Sequence, residues 1–198
     1  MGDSKYDSVI QDLAKRAIFT AAEARAAGVP SRMLAYYCNK GVIERISRGV
    51  YRGMESSLDI QFEWEDLAQV ALSIPNGVIC LISALCYYGL TDQVMRAFWI
   101  AVPHTSKSPR RPKARIIRMR NMTLGQTQIK LGSCSLRIFD RERTVVDAFR
   151  HLSEEVAVKA LQAYLHHTDG YRPDIGKLMD YARQLRVNIR PFVIALTT

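Results

Sequence analysis

The sequence predicts an α+β protein of two modules. The first joins a helix-turn-helix to a β-hairpin, and the second mixes helices with a small antiparallel sheet and C-terminal helices. Three observations predict it. Two short helical stretches, each closed by a glycine, lie either side of Gly28-Val29-Pro30. Two β-prone runs follow at once, around Ser47-Arg48-Gly49. After residue 97, strand-like runs give way to amphipathic helical stretches. A length of 198 residues leaves room for a module of about 60 residues beside a larger one, so the modules are set at 1–55 and 56–198. Hydrophobic content of 48% with 24% charged residues is globular composition, and order is expected almost throughout.

In the first module Tyr6, Val9, Ile10, Leu13, Ala14 and Ala17 recur at helical spacing, with Lys5, Asp12, Lys15 and Arg16 on the other faces. Ile18 and Phe19 make a short apolar link. Thr20-Ala21-Ala22-Glu23 has the spacing of a capping box, in which the Thr20 hydroxyl caps and Glu23 reaches back. Gly28 stops that helix. A third helix starts with Ser31 as N-cap after Pro30 and stops at Gly41. Residues 42–46 and 50–52 form a hairpin whose basic tip contains Gly49, a residue that tolerates positive φ.

A hairpin directly after such a helix pair is a wing, and the module reads as a winged helix-turn-helix. In that arrangement the second helix of the pair meets base edges while the wing lies on the backbone or in a minor groove. Leu34, Tyr37 and Cys38 share one helical face and are assigned to the core. Ser31, Arg32 and Tyr36 are the candidates for base edges and Lys40, Arg45 and Arg48 for phosphates, with Met33 and Ser47 completing the DNA-binding set. A charged outer helix face is ordinarily only solvated; the adjoining wing is what favours DNA.

In the second module Ile60, Trp64, Leu67, Ala68 and Ala71 continue a helix, with Asp59 as its possible cap and Pro75-Asn76-Gly77 as its break. Residues 81–88 read as a buried helix ended by Gly89. Strands are expected at 98–102 and 116–120, and 127–131 pairs with 135–139 through Gly132-Ser133. Three helices follow at 144–151, 154–167 and 175–185, before a short apolar tail that includes Phe192.

The formal net charge of +9 is unevenly spread. Residues 1–60 hold nine Lys/Arg against seven acids, whereas 101–150 hold twelve against three. Lys107, Arg110, Arg111, Lys113, Arg115, Arg118 and Arg120 form an acid-free run, whose first part Pro109 and Pro112 keep out of regular structure. Such a surface favours polyanions, because each phosphate contact releases condensed counterions. It suits DNA, RNA or an acidic protein; the plain alternative is a solvated loop.

Cys38, Cys80, Cys86 and Cys134 have no C-x-x-C pairing and sit in apolar contexts, so reduced thiols are expected rather than a metal site. No segment reaches the roughly 18 apolar residues of a membrane span, nor does the N-terminus resemble a signal peptide, so a cytoplasmic protein without membrane partners is expected. Asp147 lies one helical turn from Arg143 and Thr144, which reads as helix-start pairing rather than catalysis. His166 and His167 point in different directions and complement a helix C-terminus.

Two regions resemble a known family. Phe-Thr-x-x-Glu-Ala-x-x-x-Gly-Val at residues 19–29, with the Lys-Gly-Val-Ile-Glu-Arg-Ile-Ser-Arg-Gly-Val-Tyr run at 40–51, is similar to the N-terminal domain of AbiEi-type antitoxins. Ser83-Ala84-Leu85 with Tyr88-Gly89-Leu90, and Asp140-Arg141-Glu142-Arg143-Thr144-Val145-Val146-Asp147, resemble the rest of that family, including its Pro/Asp-x-x-Arg-Thr-x-x-Asp signature. The resemblance implies a type IV antitoxin and transcriptional autorepressor that binds inverted repeats in its promoter. It further implies a cognate nucleotidyltransferase-like toxin, counteracted without a stable complex in the better-known members.

Other function classes fit less well. A nuclease core needs an acid cluster holding a divalent metal beside a lysine, and Gln128-Ile129-Lys130 lacks the acid. A phosphate-binding glycine loop followed by Lys-Ser or Lys-Thr is also missing. A non-enzyme without a cofactor is expected. A stand-alone regulator with a ligand-sensing second module remains the alternative.

Overall fold

The computed structural model describes residues 5–16, 18–54, 62–106, 111–132, 134–166 and 170–197. It divides into two compact units, residues 1–75 with 129–136, and 76–128 with 137–198. The module boundary expected near residue 55, the helix cap at Asp59, and Lys107, Pro109, Arg110 and His167 lie outside the described residues.

The first unit opens with α1 (Asp7–Ala14), β1 (Phe19–Thr20), α2 (Ala21–Ala26) and α3 (Ser31–Asn39). Strands β2 (Ile43–Ser47) and β3 (Val50–Gly53) and helix α4 (Phe62–Ser73) follow. Thr20 caps α2 as its spacing predicts: the Glu23 amide donates to Thr20 Oγ1 at 3.1 Å, and the Thr20 amide donates to Glu23 Oε2 at 2.7 Å. Ser31 is not the N-cap of α3. Extended Pro30 holds that position, its carbonyl accepts the Met33 amide, and Ser31 is already helical with no side-chain cap bond present.

Ile10, Leu13, Phe19, Ala24, Val29, Leu34, Tyr37, Ile43 and Tyr51 bury together as the core of this unit. Burying one such large apolar side chain contributes about 1.5–3 kcal/mol, so the three short helices hold by packing and not by helix propensity. The Tyr37 hydroxyl donates to Asp7 and ties α3 to α1. The Ile18-Phe19 stretch, read as a link, instead starts a third strand. β1 pairs antiparallel with β3, giving the sheet order β1-β3-β2.

The second sheet has the order β6-β5-β4-β8-β7, from β4 (Val78–Ile79), β5 (Phe98–Pro103), β6 (Ala114–Met119), β7 (Gln126–Leu131) and β8 (Cys134–Phe139). Its antiparallel expectation needs correction. β4–β5 is antiparallel, but β4–β8 and β5–β6 are parallel.

Helices α5 (Leu81–Tyr87), α6 (Arg141–His151), α7 (Glu154–His166), α8 (Ile175–Gln184) and α9 (Arg190–Thr197) belong to the second unit. α6 is its axis and packs on α5, α7 and α8. It begins three residues before the predicted start, because the Asp140 carboxylate caps it by accepting the Arg143 amide at 2.9 Å. The tail around Phe192 is a fourth C-terminal helix; Val193 buries, and Phe192 meets the Phe149 ring at 5.1 Å between centroids.

Candidate nucleic-acid interface

Helix α3 has two faces with different chemistry. Leu34 and Tyr37 point into the core, with half-buried Met33 and Cys38 packed against it. Burial pushes the Cys38 thiol up from its ordinary value, as expected of an inert structural thiol. Ser31, Arg32, Ala35, Tyr36, Asn39 and Lys40 face outward and are exposed. The side chains that reach solvent thus recur along one stripe of the helix.

Tyr36 is 43% exposed, which is unusual for an aromatic residue that has a core beside it. Its ring sits edge-on to Tyr37 at 5.2 Å, and Lys40 Nζ lies 4.6 Å from its centroid. The Tyr36 hydroxyl raises the Lys40 ammonium above its ordinary range, so the cation is firmly charged at neutral pH. Arg32 stands free at the start of the stripe. Among the described residues it has no acidic partner.

The wing is the turn between β2 and β3. Gly49 adopts φ +79°, a left-handed conformation that costs a side-chain-bearing residue about 1 kcal/mol or more. The register slips between Arg45 and Ser47, and this bulge bends the hairpin toward its tip. Arg45 and Arg48 are exposed, and Arg45 Nε donates to the Ser47 carbonyl at 3.4 Å. Arg52 is committed elsewhere, to Glu44 at 2.8 Å and to Glu65 of α4 at 3.5 Å.

Residues 8–52 match the family model described as "Transcriptional regulator, AbiEi antitoxin". Over these residues the chain is similar to AbiEi antitoxin regulators. The match runs from the second residue of α1 to the penultimate residue of β3 and so covers the helix pair and the wing. A comparison with curated proteins gave no match. The matched family is described as one of transcriptional regulators. Among the described residues, no helix is long and apolar enough to cross a membrane, and no three His, Cys, Asp or Glu residues cluster at metal-binding distances.

The structure brings Ser31, Arg32, Tyr36 and Lys40 together on one face of the matched region, while Met33 turns partly into its core. Ser47 is half-buried, and its hydroxyl oxygen is sealed from solvent. Asn39, which the sequence reading did not name, is exposed as well. It lies three residues after Tyr36, on the same exposed stripe, and the helical period alone would have found it.

In the second unit the described part of the basic run enters an edge strand. Arg115 and Arg118 are exposed on β6, and Arg111, Lys113 and Arg120 flank it. Lys113 takes φ +60° immediately before the strand. Asp147 proves structural: its carboxylate accepts from buried Arg143 at 2.8 Å and from Arg150 at 2.6 Å.

Proposed function

We propose that this AbiEi-type regulator binds inverted repeats in its own promoter as an autorepressor and counteracts a nucleotidyltransferase-like toxin. Residues 1–55 act as the DNA reader and residues 56–198 as the antitoxin module. One observation carries the reading: the outward stripe of α3 and the wing tip both offer arginines that no acidic residue among the described residues neutralises. Side chains kept out of the core and out of ion pairs are available to phosphates and base edges at no cost in broken contacts.

In this reading Ser31, Arg32, Tyr36 and Asn39 approach base edges. Lys40, Arg45 and Arg48 hold phosphates, and Met33 supports the helix from below. The basic surface that includes Arg111, Lys113, Arg118 and Arg120 adds sequence-independent attraction for the same duplex. The coarse role, antitoxin and transcriptional regulator, rests on the family match over residues 8–52.

Replacing Arg32 and Arg48 together with alanine tests it. Binding to the protein's own promoter, measured by mobility shift, should be lost while the thermal unfolding curve and protection against a co-expressed toxin stay close to wild type. Wild-type promoter affinity in that double variant would contradict the assignment. Failure to protect cells from a nucleotidyltransferase encoded beside the gene would contradict the antitoxin half.

A further inference from the structure

A cavity of about 450 Å³ lies between the start of β5 and the segment before it. Its walls combine two chemistries. Ile82, Val94, Ala97 and the Trp99 ring are apolar, whereas Arg96 and Arg115 are cationic. Val94 is 81% exposed, an apolar side chain that the fold leaves uncovered. Neither arginine has an acidic partner among the described residues.

The Trp99–Arg115 pair is set by the sheet. These residues are register partners on the parallel strands β5 and β6, and the Arg115 guanidinium lies 3.9 Å from the indole centroid. The indole packs against a cluster that includes Cys80, Ala101 and Met119, so the ledge has a rigid floor. Arg115 itself is exposed. A flat, delocalised cation stacked on an aromatic ring is therefore presented beside an apolar recess and a second free arginine.

We propose that this cavity binds single-stranded nucleic acid, with an unpaired base on the Trp99–Arg115 ledge and an adjoining phosphate on Arg96. Unpaired bases stack on aromatic rings and on guanidinium planes, and such stacking tolerates any sequence. Bases inside a duplex are already stacked on one another and cannot use the ledge. An acidic peptide would satisfy the two arginines but would leave the stacked plane without a role. The surrounding segment matches a polyanion, since residues 111–120 contain five Lys/Arg and no acid. This site is separate from the duplex reader on α3 and the wing, and it stands or falls independently of that reading.

The test uses the full chain and a fluorescein-labelled uridine 12-mer at low salt, with anisotropy for affinity. Trp99 is one of two tryptophans, so Trp64→Phe isolates its fluorescence. Saturable binding with quenching of Trp99 is expected. Arg115→Lys keeps the charge but removes the plane and should weaken binding about tenfold. Arg96→Ala should lower the slope of log affinity against log salt by about 0.7. Promoter-duplex binding, measured in parallel, should survive both substitutions with much smaller losses. If Trp64→Phe unfolds the chain, the difference between wild type and Trp99→Phe supplies the same fluorescence readout. No quenching, an Arg115→Lys affinity equal to wild type, or tighter binding by a glutamate 12-mer than by the uridine 12-mer would each overturn the proposal.

Discussion

Arg143 has no exposed surface, yet every polar end of it is met. Nε donates to Asp147 at 2.8 Å, one terminal nitrogen to the Leu124 carbonyl at 2.8 Å and the other to the Asn121 carbonyl at 3.0 Å. One side chain thus fixes both its own helix and the 121–124 loop. Arg143→Met should cost about 3–5 kcal/mol in urea unfolding, because it leaves one oxygen of the buried Asp147 carboxylate and two carbonyls without a donor. A loss under 1 kcal/mol would show that the loop is held by other contacts. Glu142, also buried, accepts from Tyr164 at 2.8 Å, from Tyr171, and from Lys177 at 3.0 Å. Burial alone would raise its carboxyl, but the hydrogen bonds from Tyr171 and Lys177 outweigh it and bring it below the ordinary 4.5. A carboxyl lowered by folding stabilises the protein above its unfolded value, and that stability is lost as pH falls through the lower folded value. Wild type should therefore lose stability more steeply than Glu142→Gln below about pH 5, as read from urea midpoints; parallel slopes would count against the network.

At the scale of elements, the first unit depends on how closely its sheet approaches α1. A Cβ on Gly53 would sit 1.8 Å from the Ala14 carbonyl oxygen, so β3 passes against helix backbone. Gly53→Ala should destabilise by about 3 kcal/mol or more, since backbone must move; a thermal midpoint within 2 °C of wild type, on the order of a few tenths of a kcal/mol, would rule out so tight a contact. Local signals were legible. The capping box at Thr20–Glu23, the left-handed glycines and the outward stripe of α3 depend on residues within one or two turns of each other, so spacing alone reveals them. Signals that depend on distant partners were not. β1 and β4 are two residues each and exist through pairing with strands far along the chain. The start of α6 was hidden because Arg141-Glu142-Arg143 reads as a solvated run, whereas Glu142 and Arg143 are buried and satisfied by residues 119–124 and 164–177. The Trp99–Arg115 stack needs a strand register that no local pattern specifies.

Across the whole chain, charge divides the labour. Residues 1–60 are only mildly basic, while the larger positive excess lies in residues 101–150. In the proposed reading, removing a phosphate contact at Arg45 should lower the salt slope of promoter binding by about 0.9 and weaken all sequences alike. Removing a base contact at Arg32 should instead narrow the gap between operator and unrelated DNA, by about 1–3 kcal/mol. The most direct test of the central claim is promoter affinity of the full chain carrying Arg32→Ala with Arg48→Ala, titrated against operator and unrelated duplexes at one salt concentration. The account predicts that preference for the operator disappears while the protein remains folded. Undiminished preference in that variant would contradict it.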